Sequence, residues 1–318
     1  MTKVNELKIS NMNKIRKYFY ENKILTKNEL HELTSISLAG CTNVLKELLM
    51  HKEIKQLEDA DSTGGRKSKQ YCLNENYANI LKIILLKQKN HEEIQSELCN
   101  LSNQEIHAEQ LVKDRIEVTD VLKLIQKYQQ YPMDCVVISI PGVCVNGVIS
   151  ICDCYALQKV NLIEEIQSVI DIPIIIENDV NTSVIGLQER YPDIQNCAFI
   201  YQPSTDYLGC GILINGKLYN GFQHQAGELR CLPDYSEEEQ VKVQTKDPKA
   251  FLINRMHIIQ AVLDPQMIGW CSDFVKEDIA FDDISIKQFN DINALINSGL
   301  YRMGIKHIVE NGGNKYVR

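Results

Sequence analysis

The chain has 318 residues, of which 44% are hydrophobic and 24% are charged, and its formal net charge at pH 7 is −8. This composition is typical of a folded globular protein and excludes a fibrous repeat or full disorder, and the length predicts about two domains. No apolar run reaches the roughly 20 residues of a transmembrane helix, and no membrane partner is expected. The N-terminal sequence has no apolar signal segment, so we expect a cytoplasmic protein.

The charge is unevenly distributed along the chain. Residues 1–74 contain 13 Lys and Arg against 9 Asp and Glu, a balance of +4, whereas the remainder contains 21 against 33, a balance of −12. A small basic segment on an acidic body indicates that the N-terminal part contacts a polyanion. The 11 cysteines are scattered and include no Cys-x-x-Cys pair, so neither a structural zinc site nor a disulfide framework is predicted.

The first 74 residues predict three short helices and a β-hairpin. An apolar stripe predicts a first helix over 11–21. Thr26 and Glu29 can form a capping box for a second helix, and Ser37 can cap a third that runs to about His51. Strands over 54–57 and 71–73 then enclose a loop that contains Gly-Gly-Arg-Lys. This order of elements is typical of a winged helix-turn-helix with a basic wing.

The winged-helix pattern favours DNA binding, although helix pairs and basic loops also occur in proteins that never contact DNA. Asparagine can read adenine, and lysine and arginine suit phosphates or a minor groove. The expected partner is double-stranded DNA. The candidate DNA-binding residues are Ser37, Leu38, Thr42, Asn43, Lys46, Arg66, Lys67 and Lys69.

From Tyr77 onward, predicted strands and helices alternate. Asn146-Gly147 and Asn215-Gly216 are strong hairpin signals. The pattern restarts after about residue 190, which predicts a duplicated α/β body of two lobes with a cleft between them. The predicted strands are 80–87, 94–101, 135–140, 172–176, 197–202 and 211–214, and the predicted helices are 105–130, 161–170 and 181–189.

An ordered set of motifs resembles the ROK family (repressor, open reading frame, kinase) over nearly the whole chain. LTSISLAGCTNVLKELLMHKEIK and STGGRKSKQYCLN resemble the DNA-binding module of its regulators, and the body contains VVISIPGVCVNGVIS, IPIIIENDVN, GCGILINGKLYNG, AGEL and LDPQMI. The resemblance implies an α/β chain with a winged helix-turn-helix over 1–75 and a two-lobed actin-like, ribonuclease H-type ATPase-fold body over 76–318. The lobes would divide at about 190 and 191. It also implies a transcriptional regulator, often of sugar metabolism. We expect the protein to act as a homodimer or higher homo-oligomer.

Kinases of this family hold ATP phosphates on glycine-rich turns, and this chain departs from that pattern. It contains no glycine between Gly65 and Gly142. The second-lobe turn carries Asp206 and Tyr207, and the resemblance places Gly269-Trp270 where the kinases have a nucleoside-binding Gly-Gly. We therefore expect no kinase activity and no cofactor.

The family's zinc motif is also altered, whereas its sugar-contacting positions are partly kept. Ala226-Gly227-Glu228-Leu229 is followed by Arg230-Cys231 instead of leading to a histidine and a cysteine cluster, so no metal is expected. The resemblance places a ligand on Asn178, Asp179 and Glu228, and the residue that matches Asp179 is the catalytic base in the kinases. Asp179 could equally be the N-cap of the helix that follows it.

Three functions remain open from the sequence. The favoured one is a repressor without kinase activity that senses a small neutral sugar in the cleft. The second is an ATP-dependent sugar kinase with an appended DNA-binding domain. The third is a constitutive DNA-binding or scaffold protein whose body serves only for dimerisation.

Overall fold

A computed structural model describes residues 3–21, 23–57, 68–204, 208–281 and 284–311. Its N-terminal part, here called the N-terminal module, packs three helices against a small antiparallel sheet of strand order β1-β3-β2. The elements of the module are α1 (Lys3–Tyr20), β1 (Leu25–Thr26), α2 (Lys27–Thr34), α3 (Leu38–Met50), β2 (Ile54–Gln56) and β3 (Gln70–Leu73).

The caps predicted for α2 and α3 are present. The Thr26 hydroxyl accepts a hydrogen bond from the Glu29 amide while the Glu29 side chain accepts from the Thr26 amide, and the Ser37 hydroxyl accepts from the Gly40 amide. Helix α1 begins well before the predicted residue 11. It is joined to the sheet by a buried ion pair, in which the Arg16 Nε lies 2.6 Å from the Glu53 Oε1.

The body contains two five-stranded sheets with the same arrangement of strands. In each sheet, three consecutive strands pair antiparallel. The next strand along the chain then pairs in parallel with the first of these three, and the last strand of the sheet pairs in parallel with that added strand. This repetition agrees with the predicted duplication. The first sheet has the order β10-β7-β4-β5-β6 and comprises β4 (Asn79–Lys87), β5 (Glu92–Asn100), β6 (Glu105–Lys113), β7 (Cys135–Ile140) and β10 (Ile174–Asn178). The second has the order β13-β12-β11-β14-β15 and comprises β11 (Cys197–Gln202), β12 (Gly209–Ile214), β13 (Lys217–Leu218), β14 (Met267–Ser272) and β15 (Ser285–Gln288).

Helices and a short hairpin complete the two lobes. The first lobe is the first sheet with α4 (Val118–Tyr128), α5 (Leu162–Gln167) and the hairpin of β8 (Gly142–Val145) and β9 (Val148–Cys152). The second lobe is the second sheet with α7 (Glu237–Lys246) and α8 (Pro248–Leu263). Both predicted Asn-Gly turns are present, since Asn146 and Gly147 have φ of 50° and 86° and Asn215 and Gly216 have φ of 53° and 68°.

The predicted helix over 105–130 is wrong in its first half, which forms strand β6. Alternate residues of β6 face α4: the His107 ring packs edge-on against Tyr128 with centroids 5.4 Å apart, and the Glu109 carboxylate lies 2.6 Å from the Lys127 Nζ. The segment is rich in helix-forming residues. Pairing with β5 and this one-sided packing override that local preference.

Two helices cross between the lobes, α6 (Asp179–Arg190) and α9 (Asn293–Asn311). Their backbones are in close contact because Gly186 lies against the Leu295 carbonyl and Gly299 against the Thr182 carbonyl; a Cβ at either glycine would come within 2.0 Å of that oxygen. The sequence left the segment after Val275 unplaced. It supplies β15 and then α9, which returns to the first lobe and packs on β4 and β7.

Candidate ligand-binding cleft and nucleic-acid interface

A cleft of about 290 Å³ lies between the two lobes, where parallel strands of both sheets end. The segments that follow β7, β10, β11 and β14 all reach it, and the start of α9 closes one side. Ligands of open α/β sheets bind at the carboxyl ends of strands. All three predicted ligand-binding residues line this cleft, namely Asn178, Asp179 and Glu228.

Asn178, the last residue of β10, is the N-cap of α6. Its Oδ1 accepts hydrogen bonds from the amides of Val180 at 2.9 Å and Asn181 at 3.0 Å, and its Nδ2 donates to the Gly142 carbonyl at 3.0 Å. The suggestion that Asp179 is the cap is therefore wrong, because Asp179 is already the first residue of the helix. The two neighbouring residues have different roles: Asn178 stabilises the strand–helix corner, and the Asp179 carboxylate lies at the cleft.

Glu228 lines the cleft from the second lobe, and the residue before it makes a backbone contact that only glycine allows. Gly227 has a φ of +92°, and a Cβ there would lie 1.7 Å from the Cys210 carbonyl oxygen. The Glu228 Oε2 lies 3.3 Å from the Arg230 Nε, and both side chains are about a quarter exposed. The sequence analysis did not count Arg230 as a ligand-facing residue, although its place directly after Ala-Gly-Glu-Leu was a signal for it.

Tyr201 and Asp273 form a second polar group at the ends of β11 and β14. The Tyr201 hydroxyl donates to the Asp273 carboxylate at 3.4 Å, and the Ser204 amide donates to the same Oδ2 at 2.8 Å. Burial, followed by the nearby carboxylates of Asp273 and Asp179, raises the pKa of Tyr201 far above its ordinary value. Tyr201 therefore stays protonated well above neutral pH, and its hydroxyl remains a hydrogen-bond donor.

The lining of the cleft is acidic overall. Arg230 and Lys87 are its basic members, and the Lys87 Nζ lies 3.1 Å from the Glu92 carboxylate. Carboxylates that accept hydroxyl hydrogen bonds suit a neutral polyol, and they repel an anionic sugar phosphate. The acidic residues of the lining are Asp153, Asp179, Glu228, Asp273 and Asp291.

The glycines near the cleft serve packing. Gly142 lies against the Ile151 carbonyl, which a Cβ would approach within 2.2 Å, and Gly211 packs against the Val180 carbonyl.

The expected match of Gly269-Trp270 to the nucleoside-binding glycines of the kinases is wrong, because these two residues do not line the cleft. Both residues lie inside β14, Trp270 is 1% exposed, and Cys271 and Asp273 are the residues of this segment that reach the cleft. The turn with Asp206 and Tyr207 lies outside the described residues.

The side chains at the altered zinc motif do not fit a zinc site. Cys231, at the position of the family's histidine, is exposed, and the described residues contain no group of three or more His, Cys, Asp or Glu placed to hold a metal ion. His224 instead lines a small cavity beside the cleft. Cys152 and Cys154 are both buried, and a hydrogen bond between them together with burial raises the pKa of the Cys154 thiol.

The predicted DNA-facing residues of the N-terminal module lie on and beside α3. Leu38, Asn43 and Lys46 are exposed, and the partly buried Thr42 donates its hydroxyl to the Leu38 carbonyl at 2.8 Å. Among the described residues, Lys46 forms no ion pair. Ser37 is exposed at the start of the helix and Lys69 just before β3, whereas Arg66 and Lys67 lie outside the described residues. None of the described helices has both the length and the apolar character needed to cross a membrane.

Two repeated sheets with a cleft at their strand ends define a two-lobed α/β protein. A sequence profile of the ROK family matches residues 90–230. Residues 90–230 are therefore similar to the ROK family.

Curated relatives and solved structures agree with this assignment. The chain is 23% identical over 240 residues to the xylose repressor of Staphylococcus xylosus, covering 69% of this chain and 59% of the repressor. It is 24% identical over 227 residues to the xylose repressor of Caldicellulosiruptor bescii, covering 68% and 56%. The matches thus span less than two thirds of the length of these relatives.

The structural neighbours include both regulators and kinases. A ROK family transcriptional regulator described as a homologue of the E. coli Mlc protein superposes with a TM-score of 0.66 at 16% identity, over 96% of this chain and 100% of that chain. A putative N-acetylmannosamine kinase from Listeria monocytogenes superposes with a TM-score of 0.56 at 13% identity, over 72% and 99%. At these identities the neighbours establish the fold.

Proposed function

We propose that this protein is a DNA-binding transcriptional repressor that senses a small neutral sugar in the interlobe cleft and does not phosphorylate it. The observation that carries the proposal is the pairing of an exposed, capped helix α3 with a cleft whose carboxylates come from both lobes. The xylose repressors among its relatives and the Mlc-like neighbour support a regulator.

In this proposal the N-terminal module is a winged helix-turn-helix, with its boundary near residue 75. Helices α2 and α3 are joined by three residues, and β2 and β3 flank the segment that the sequence predicts to be the wing. The exposed Asn43 would read a base edge, and Lys46 and Lys69 would contact phosphates. The acidic body would be repelled by DNA, so the module would determine how the protein docks.

A direct test is a gel-shift or fluorescence-anisotropy titration with duplex fragments selected from the source genome. We expect specific binding that weakens steeply as salt rises, because each neutralised phosphate releases a counterion. If no selected duplex binds at low salt, the proposal is wrong.

In the cleft, the Asp179 and Glu228 carboxylates would accept hydroxyl hydrogen bonds, and Asn178 would hold the corner from which Asp179 extends. The pairing of Arg230 with Glu228 reduces the negative charge that a ligand meets. Pentoses and hexoses are the first ligands to test, with xylose foremost because two relatives are named for it. A thermal-shift panel should identify a sugar that raises the melting temperature, whereas no shift with any sugar would favour a constitutive DNA-binding or scaffold protein.

A sugar kinase with an appended DNA-binding domain is the second candidate, because Asp179 lies at the position of the family's base and kinases share the fold. The lack of any glycine between Gly65 and Gly142 argues against it, since backbone amides could not approach the phosphates closely in the first lobe. A coupled assay for ADP release with the same sugar panel separates the two. Sugar-dependent ADP release would establish the kinase.

A further inference from the structure

A second large cavity, which shares no lining residue with the interlobe cleft, lies where the N-terminal module meets both lobes. We call it the α1–α9 groove. Helix α1 supplies one wall and the C-terminal half of α9 another, and the turn between β12 and β13 of the second lobe faces them, with Ile175 of β10 and Ile185 of α6 at the base. Its volume is about 630 Å³, more than twice that of the interlobe cleft.

The base of the groove is apolar. Ile175, Ile185, Leu218, Met303 and Val309 are each only partly buried although they pack against the main hydrophobic core. They remain partly accessible because the groove separates α1 and α9 from the second-lobe turn. Apolar surface of this kind gains free energy when a ligand covers it.

The rim of the groove is basic, in contrast to the acidic body. Lys17, Lys217 and Lys306 are exposed, and none of them forms an ion pair with another described residue. Arg302 adds a fourth cation, although its Nε lies 3.4 Å from the Glu189 carboxylate. The acidic residues of the rim are Glu21, which pairs with Lys23 at 2.7 Å, and Glu310.

We infer that the α1–α9 groove is a binding site for an amphiphilic organic anion, with the apolar part of the ligand on the base and its anionic group among the rim lysines. The volume is within the range of about 300–1,000 Å³ that is typical of small-molecule sites. An alkyl carboxylate and an aryl sulfonate share this chemistry.

A ligand in the groove would contact three parts of the protein at once. The Asn13 Nδ2 donates to the Glu310 carbonyl at 3.4 Å along one edge, which joins α1 to α9, while Lys217 and Leu218 belong to the second lobe. The ligand's affinity would therefore depend on how the lobes and the N-terminal module are arranged. By linkage it would bias that arrangement, and an effect on DNA binding, which rests on the proposed function, would follow.

The test uses the fluorescent dye 8-anilinonaphthalene-1-sulfonate with the full chain, followed by displacement with decanoate. We expect saturable dye binding that decanoate reverses, and weaker displacement by the uncharged decanol. The double variant Lys217→Glu/Lys306→Glu should lose at least tenfold in affinity for both anions, because two favourable charge contacts become repulsive.

Lys287→Glu is the matched control, since Lys287 is exposed on β15 at the opposite edge of the second sheet. It should bind both anions like the unchanged protein. Met303→Gln, which places a polar group on the base without changing charge, should also weaken dye and decanoate binding. Unchanged affinity in the double variant and in Met303→Gln, or failure of decanoate to displace the dye, would overturn the inference.

The dye assay contains no DNA, so its result is independent of the proposed function. Displacement by decanoate in a protein that binds no duplex would support the groove and overturn the repressor. Specific DNA binding without displacement of the dye by decanoate would support the repressor and overturn the inference about the groove.

Discussion

At the residue scale, the corner between β10 and α6 places a structural residue, Asn178, next to a cleft-lining residue, Asp179. The Asn178 side chain accepts two helix amides and donates to the Gly142 carbonyl, so it ties α6 to the segment after β7. Asp179 directs its carboxylate to the cleft, close enough to Tyr201 to contribute to the raised pKa of that phenol. Substitution of Asn178 should therefore affect stability, whereas substitution of Asp179 should affect the response to sugar.

We expect Asn178→Ala to lower stability by about 1 kcal/mol or somewhat more, because it removes the N-cap of α6 and leaves the Asn181 amide without its side-chain acceptor, whereas the Val180 amide keeps the Asp179 Oδ1 at 2.8 Å. Asp179→Asn should leave the unfolding midpoint almost unchanged and remove the thermal shift produced by the sugar. Chemical unfolding with and without sugar measures both effects. Equal sugar responses in Asp179→Asn, in Glu228→Gln and in the unchanged protein would show that the cleft no longer uses these carboxylates.

At the scale of elements, the crossing of α6 and α9 connects the two lobes. Helix α6 leads from the first sheet into the second and packs on β11 and β12, whereas α9 follows the second sheet and packs on the first. A buried polar cluster anchors α9 there: the Lys82 Nζ donates to the Glu97 carboxylate at 2.8 Å and to the Asn297 side chain, and Asn297 donates to Glu97. Any change in the angle between the lobes has to be accommodated at this crossing.

Gly299→Ala should destabilise the body, because its Cβ would come within 2.0 Å of the Thr182 carbonyl oxygen and force the helices apart. Overpacking of this kind typically costs about 1–3 kcal/mol, so the melting temperature should fall by several degrees. Ser298→Ala, one residue earlier on α9, is the control and should be nearly neutral. A melting temperature for Gly299→Ala within error of that control would show that the helices separate easily.

The proposed recognition helix α3 and the wing that the sequence predicts make a second element-scale prediction. Asn43→Ala on α3 should relax sequence preference, whereas Arg66→Ala or Lys67→Ala should weaken binding to all duplexes and reduce the salt slope by about one unit per lost phosphate contact. Titrations with the preferred and a scrambled duplex at several salt concentrations measure both effects. If Asn43→Ala weakened the two duplexes equally, Asn43 would be a backbone contact.

At the scale of the whole molecule, the N-terminal module contacts the first lobe near Glu75 and contacts α9 through α1. The Lys55 Nζ lies 2.8 Å from the Glu75 carboxylate, and the Leu101 amide donates to the Glu75 carbonyl at 2.9 Å. Closure of the second lobe on a bound sugar would leave this attachment in place and would alter the gap at the α1–α9 groove. The module would thus move with the first lobe, which is how a cleft ligand could change the spacing of two recognition helices.

We expect the protein to bind DNA as a homodimer, with two half-sites about one helical turn apart. Analytical ultracentrifugation should give a dimer, and a footprint should protect two sites on the same face of the duplex. The effector should change the affinity for the paired sites more than for an isolated half-site, because it alters their spacing. A monomer that protects a single site, with the same sugar response on either duplex, would contradict this arrangement.

Local sequence signals determined much of this protein. The capping box at Thr26, the cap at Ser37, the two Asn-Gly turns and the apolar runs of the central strands depend on interactions within a few residues, so the sequence predicted them directly. Tertiary structure alone decided that residues 105–113 form a strand and that Asn178 rather than Asp179 caps α6. It also decided that α9 crosses back to the first lobe to form the α1–α9 groove. These outcomes depend on partners far along the chain, such as β5, the Gly142 carbonyl and the paired glycines of α6 and α9, and local propensity carries no information about which distant partner is present.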